Sequence, residues 1–339
     1  MTVTERTAVP ESCVVGPYQK RLMVFAGRSN PELGLRMAEK LGISLGEVII
    51  KTFANGEIYA RYGESIRGAD VFIIQSPSGG GVLNDQLMEL LIMVQAAKLA
   101  SAKRVNVVMP YYPYSRQDKK SAAREPITAR LVATLLEASG VDRVLSMDLH
   151  QGQIQGFFDV PVDHMTAVPM LADYFRFKDF GGREVVAVSA DAGGVKLARR
   201  FAGRVGSDLA VLTKMRPEHN LAATMHFIGD VDGKVAIVVD DMIDTAGSVV
   251  SAVETLCDHG AAEVYVTATH ALFSGPAFER IRECPVEEVV VTDTVPVLPG
   301  PADTKVKVLS VADILANTIR NVFDDESVSE LFAGENALF

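Results

Sequence analysis

The chain has 339 residues, 48% of them hydrophobic, with 43 acidic against 33 basic side chains and a formal charge of -10. That length suits two domains of ordinary size. The acidic balance speaks against a general nucleic-acid binder, which needs a basic surface, but not against small anionic substrates held by local basic clusters.

Residues 1–19 are largely polar, are broken by Pro10, Gly16 and Pro17, and are expected to form a flexible extension outside the core. No basic stretch followed by an apolar one opens the chain, and no apolar run approaches the ~20 residues that span a bilayer. Cys13, Cys257 and Cys284 share no metal-ligand spacing and form no even-numbered disulfide framework, so a reducing cytoplasm is expected.

From residue 21 onward, short apolar runs alternate with helical patterns. "RLMVFAG", "EVIIKTF", "DVFIIQS", "RVNVVMP" and "RVLSMDL" read as strands in the first half; "EVVAVSA", "LAVLT", "KVAIVVD", "EVYVTAT" and "EEVVVTD" do so in the second. The runs are continuous rather than alternating, which suits parallel strands covered on both faces. Amphipathic stretches at 84–100, 126–139, 194–203 and 248–259 separate them. The pattern predicts an α/β protein of βαβ units.

An internal echo divides it. "SGVDRVLSMDLH" ends at His150 and "HGAAEVYVTATH" ends at His270, 120 positions later. Each follows a helix, turns at a glycine and enters a strand. A further strand with a polar loop at its end precedes each helix: "VVMPYYPYSRQD" in one half, "IVVDDMIDTAGS" in the other. The echo predicts two copies of one α/β domain, 20–165 and 166–333, joined near 160–168. Ligands of open α/β sheets bind beyond the carboxyl ends of strands, where both polar loops fall.

The second loop is the more informative. In "VVDDMIDTAGS" (238–248), three aspartates fall within five residues between a buried strand and a helix whose apolar stripe is Val249, Val253 and Leu256. A helix N-terminus attracts anions, yet a carboxylate aimed at a phosphate would repel it. Asp240 and Asp241 should therefore face hydroxyl groups or a metal ion, and a sugar phosphate satisfies both demands. A lone aspartate here would more often be a helix cap or a solvated loop residue. Two adjacent acids, a third three residues on and a Thr-Ala-Gly-Ser turn favour a ligand.

This stretch resembles the phosphoribosyl-diphosphate-binding motif of type I phosphoribosyltransferases and ribose-phosphate diphosphokinases. "FANGEIYARYGESIRGADVFIIQS", "MPYYPYSRQDKK", "REPITARLVATLLEASG", "DLHQGQIQGFFDVPVDH", "TKMRPEHN" and "LSVADILANTIR" together resemble the diphosphokinases, in order, over roughly residues 20 to 333. The resemblance implies two tandem type I phosphoribosyltransferase-like domains. It also implies transfer of the β,γ-diphosphoryl group of ATP to the 1-hydroxyl of ribose 5-phosphate, with AMP leaving.

The resemblance also implies roles. Asp240, Asp241, Asp244, Thr245, Ala246, Gly247 and Ser248 would hold ribose 5-phosphate, the 5-phosphate lying at 244–248. Phe53, Asn55, Gly56 and Glu57, with Arg116 and Gln117, would hold ATP, the first group reaching across a subunit boundary. His150 and Asp191 match the family's Mg²⁺ site, and Lys214 and Arg216 its catalytic cations on a mobile loop, Arg216 also touching the sugar phosphate. A homo-oligomer, a hexamer, is implied, with phosphate and ADP as effectors. Asn55, Ala190, Leu197 and Met215 depart from residues common in relatives.

From chemistry alone some of these positions read differently. Phe53 suits edge packing. His150 suits a structural or acid–base role, because Mg²⁺ prefers oxygen, and Asp148 is expected on the same strand face. Cys257 reads as core, and a P-loop lysine motif is missing. Two further readings stand beside the synthase: a phosphoribosyltransferase, which needs no ATP segment, and a regulatory paralogue, which would be expected to lose Lys214, Arg216, His150 or Asp191.

Overall fold

The computed structural model describes residues 20–79, 82–215, 224–297 and 305–329. In chain order the elements are β1 (Leu22–Ala26), α1 (Pro31–Leu41), β2 (Val48–Thr52), β3 (Ile58–Tyr62), β4 (Asp70–Ile74), α2 (Leu83–Leu99), β5 (Arg104–Val108), α3 (Thr128–Ser139), β6 (Arg143–Met147), a 3-10 turn (Gly152–Phe157), β7 (Val162–Met165) and α4 (Val168–Arg176). They continue with β8 (Val185–Ser189), α5 (Val195–Val205), β9 (Asp208–Met215), β10 (Thr224–Ile228), β11 (Val235–Ile243), α6 (Gly247–Asp258), β12 (Glu263–Ala271), α7 (Ala277–Glu283), β13 (Glu288–Thr292), β14 (Val306–Leu309) and α8 (Ala312–Asp324).

Two main sheets result. The first runs β1-β4-β5-β6-β7 and is wholly parallel. The second runs β10-β9-β8-β11-β12-β13-β14 and is parallel except at the β9–β10 edge. The echoed segments occupy matching places. β5 and β6 are parallel neighbours with a polar loop after β5, and β11 and β12 repeat this with the acidic loop after β11.

The apolar runs of the inner strands are continuous because those strands have two buried faces. Along β11, Val235, Ile237 and Val239 enter one core while Ala236 and Val238 enter another. The first of these cores lies between the sheets. It joins Phe72 and Ile74 of β4 to Leu33 and Met37 of α1, Phe175 of α4, Phe201 of α5, Ile319 of α8, and Tyr265 of β12. Helices α1 and α8 pack together there, as do α4 and α5. Outer cores lie under α2 and α3 on the first sheet, and under α6 and α7 on the second.

Two expectations change. "EVIIKTF" is not a parallel strand: β2 pairs antiparallel with β3 in a separate hairpin. Its β3 partner alternates between half-buried and exposed residues, so Val48, Ile50, Ala60 and Tyr62 pack on the first domain and the other side stays open. Cys257 is exposed, not core; it follows Leu256 on α6 and is turned about 100° from that buried position. Cys284 is the buried thiol. Among the described residues no helix is long and apolar enough to cross a membrane.

Candidate active site

The site begins where β11 outruns its buried stretch. Asp240 and Asp241 are half-buried, Met242 and Ile243 are buried, and the chain then turns through Asp244 and Thr245. Ala246 takes a left-handed conformation, φ 59°, immediately before α6. The turn's carbonyls are tied down: Ile243 O accepts from Phe273 N, Asp244 O from Ser274 N, and Thr245 O from Arg280 Nη1 at 2.8 Å. No side chain caps α6, so none of the three aspartates serves as a helix cap. The first N–H groups of α6, beside exposed Thr245, Gly247 and Ser248, suit an anion.

The acids find separate partners. Asp241 Oδ2 lies 2.8 Å from His150 Nδ1, which arrives from the loop after β6 in the other sheet. Burial pushes the Asp241 carboxyl up, but the His150 hydrogen bond and charge outweigh it and leave it below the ordinary carboxylate value. The same hydrogen bond holds the His150 imidazole up against the opposing effect of burial. Asp240 accepts from the Asp241 backbone N–H at 2.8 Å. Burial, then the neighbouring Asp241 charge, and Asp191 after it, push Asp240 well above the usual range. Thus one acid of the pair is ionised and the other favours its proton.

Asp244 has a different counter-charge. Arg116 Nη2 donates to Asp244 Oδ2 at 2.7 Å, across 128 residues of chain. Burial raises the Asp244 carboxyl, while hydrogen bonds from Ser274 and Arg116 outweigh it and lower it. Arg116, expected at ATP, therefore meets the loop expected at the sugar phosphate. Gln117 Oε1 accepts from Thr128 Oγ1 at 2.5 Å and sits at the entrance to α3.

The other expected residues are spread around this centre. Asp191 lies after β8, where its Oδ1 accepts from Gly194 N at 2.8 Å and its charge is felt at Asp240. Asp148 and His150 do not share a strand face, because β6 ends at Met147 and Asp148 turns the chain with φ 36°. Phe53, Asn55, Gly56 and Glu57 form the exposed turn of the β2–β3 hairpin. Phe53 N donates to Glu57 O, Glu57 N donates to Asn55 Oδ1, and the half-exposed Phe53 ring meets only Tyr59 of the same hairpin edge-on. The backbone of Lys214 belongs to β9, opposite Met225 of β10. Arg216 lies outside the described residues.

Sequence reasoning attached no role to His164, Thr269, His270, Ser274 or Arg280. His270 was visible as the end of the echoed segment, yet a histidine at a strand end carries no role until its neighbours are known. The donor set suits a cation in part. His150 gives Nδ1 to a carboxylate, which leaves Nε2 to face a metal, the usual arrangement behind a ligating histidine. Asp191 lies near enough for its charge to be felt at Asp240. The described residues hold no cluster of three or more His, Cys, Asp or Glu set to grip a metal without other donors.

Two parallel sheets with helices on both faces, and an acidic strand-end loop opening on an uncapped helix, define a tandem type I phosphoribosyltransferase-like protein. Residues 22–140 match the N-terminal domain of ribose phosphate pyrophosphokinase, and residues 216–333 match the phosphoribosyl synthetase-associated domain. The ribose-phosphate pyrophosphokinase of Fusobacterium nucleatum is 50% identical over 91% of this chain and 97% of its own. That of Caldanaerobacter subterraneus is 52% identical over 93% and 99%. The crystal structure of phosphoribosylpyrophosphate synthetase from Mycobacterium smegmatis superposes with a TM-score of 0.85 at 46% identity, covering 90% of this chain and all of that one. The chain belongs to the ribose-phosphate pyrophosphokinase family.

Beside this site, burial holds the His270 imidazole below the ordinary histidine value of 6.5, despite the charges of Asp148 and Asp241. An unfolded chain protonates this ring more readily, so its contribution to stability is full above about pH 6.5 and is lost as pH falls through the folded value. Urea unfolding from about pH 7.5 to about pH 5.5 should show a smaller acid loss for His270→Gln than for the parent chain.

Proposed function

We propose that this chain transfers the β,γ-diphosphoryl group of ATP to the 1-hydroxyl of ribose 5-phosphate, giving 5-phosphoribosyl 1-diphosphate and AMP. The observation that carries the proposal is the convergence of Arg116 and His150 from the first sheet on Asp244 and Asp241 of the acidic loop. The names of the 50%-identical relatives support the same reaction.

In this assignment the uncapped N-terminus of α6, with Thr245, Ala246, Gly247 and Ser248, binds the 5-phosphate. Asp244 orders that loop, and Asp240 and Asp241 accept hydrogen bonds from the ribose hydroxyls. Arg116 and Gln117 hold ATP phosphates, a task that suits a planar guanidinium. Phe53, Asn55, Gly56 and Glu57 hold the adenine. The sugar oxygen attacks the β-phosphorus, the bond to the α,β-bridging oxygen breaks, and its electron pair leaves on AMP. No protein nucleophile is required, so the residues position the reactants and offset charge. Lys214 and Arg216 offset the charge that develops on the transferring group and on AMP. Mg²⁺, held by His150 and Asp191, would neutralise diphosphoryl oxygens when bound.

The exposed turn at 53–57 calls for a neighbour. Its hydrogen bonds close on themselves, and Phe53 and Tyr59 stay open to solvent in a single chain. We assign the adenine pocket of one subunit to this hairpin from another, in a hexamer that responds to phosphate and ADP, within the cytoplasm. We propose domain limits of 20–165 and 166–333, supported by the change of sheet between β7 and β8. Light scattering should give a hexamer, and a fully active monomer would refute the shared pocket.

AMP should form from ATP and ribose 5-phosphate with no nucleobase present, an outcome that a phosphoribosyltransferase cannot give. Asp244→Ala should raise KM for ribose 5-phosphate by roughly 10–100-fold, the scale of a lost charged hydrogen bond, and KM for ATP far less. Equal effects on both substrates would place the loop at another ligand. Lys214→Ala should fold and assemble normally and bind both substrates, while kcat falls by roughly 10²–10³ or more. Parental turnover in that variant would remove Lys214 from the chemistry.

A further inference from the structure

The backbone just before His150 is held more tightly than a surface loop requires. Asp148, a non-glycine residue in the left-handed region, is 7% exposed. Its carboxylate is already engaged: Oδ2 accepts from Ala167 N at 2.8 Å and from Thr269 Oγ1 at 2.6 Å. The carbonyls of Met147 and Asp148 lie 3.1 and 3.2 Å from His270 Nε2. Carbonyls only accept, so Nε2 carries the ring proton and Nδ1 accepts from Thr294 Oγ1 at 2.9 Å. Leu149 N donates to His164 Nε2 at 2.9 Å. Every residue from Met147 to Leu149 is therefore tied to β7, the start of α4 or β12.

Thr269 and His270 occupy a telling place in β12. Ala268 is the ladder partner of Asp240 and His270 that of Met242, so Asp241 falls between them. One short stretch of β12 thus pairs with the residues on either side of Asp241, and holds the chain before His150 through its side chains. The 2.8 Å contact between His150 and Asp241 depends on this frame, because the two residues belong to different sheets. Packing alone gives Thr269 no need of a hydroxyl. At 1% exposure in a parallel strand, valine would fill the same volume. The hydroxyl serves Asp148, and Thr292 Oγ1 braces the Thr269 carbonyl at 2.7 Å.

We infer that Thr269 is a positioning residue: by its hydroxyl bond to Asp148 it aims His150 at Asp241 and so shapes the cation side of the active site. This rests on the proposal that His150 serves a metal, and the test separates the two.

In the full-length enzyme, Thr269→Val should increase the Mg²⁺ concentration needed for half-maximal rate by about ten- to hundredfold, the usual scale for residues behind a metal ligand. Both substrate KM values at saturating Mg²⁺ should hardly move, and Thr269→Ser should restore the Mg²⁺ response. In metal-free crystals of Thr269→Val the His150–Asp241 hydrogen bond should be lost. If that bond persists, or if turnover falls with an unchanged Mg²⁺ response, the inference is overturned. Should Thr269→Val fail to fold, Thr294→Val removes the hydroxyl that meets His270 Nδ1 and also lies 3.1 Å from the Thr269 carbonyl and from Thr292 Oγ1, and it should shift the same two readouts less far; no shift in either overturns the inference. His150→Ala is the control. If it responds to Mg²⁺ like the parent, the metal proposal itself fails; if it loses the response beside an unaffected Thr269→Val, only the positioning role fails.

Discussion

The apolar layer between the two sheets is the constraint on which the rest depends. Helices α1, α4, α5 and α8 each bury a face there, and strands of both sheets press on them from opposite sides. A close-packed layer of this kind has little freedom to slide or hinge. The carboxyl ends of β5 and β6 are thereby fixed against those of β11 and β12, although the loops after β5 and β11 are over a hundred residues apart in the chain. Phe175 shows the arrangement in one residue: a side chain of α4, it meets Phe201 of α5 and Tyr265 of β12 edge-on, with ring centroids 5.9 Å apart in both cases.

With the strand ends fixed, the charge problem of the acidic loop has a local solution. Three carboxylates near an anion site would repel the anion if all were ionised and unpaired. Instead Asp241 meets His150, Asp244 meets Arg116, and burial beside Asp241 favours the protonated form of Asp240. Both counter-charges come from the first sheet. The loop and its neutralising groups therefore exist together only when the two halves are docked, which makes the interdomain core a condition for binding as well as for stability.

Rigidity is distributed unevenly around the site. The approach to His150 is locked by hydrogen bonds donated by Thr269 and His270 and by one that Leu149 N donates to His164. The hairpin at 53–57 is exposed on its outer side. The locked frame suits the placement within a fraction of an ångström that the proposed metal and sugar sites would need. Among the described residues the open hairpin leaves the Phe53 ring exposed.

The sequence by itself determined the elements and the nature of the loop. Continuous apolar runs marked nine strands of the two main sheets, because strands buried on both faces are apolar throughout. The order of strand, three acids, Thr-Ala-Gly-Ser and helix made an anion site with hydroxyl partners legible from Val238 to Ser248. "EVIIKTF" was misassigned to a parallel sheet, since an apolar run does not reveal which strand it will pair with. Cys257 was placed in the core because a residue beside the stripe is one step from it. Only the tertiary structure decided that Arg116 pairs with Asp244, that His150 pairs with Asp241, and that Thr269 and His270 hold the chain before His150. These contacts join residues from 91 to 128 positions apart. No periodicity encodes them, because they arise from the way two separately patterned sheets bury opposite faces of one helical layer.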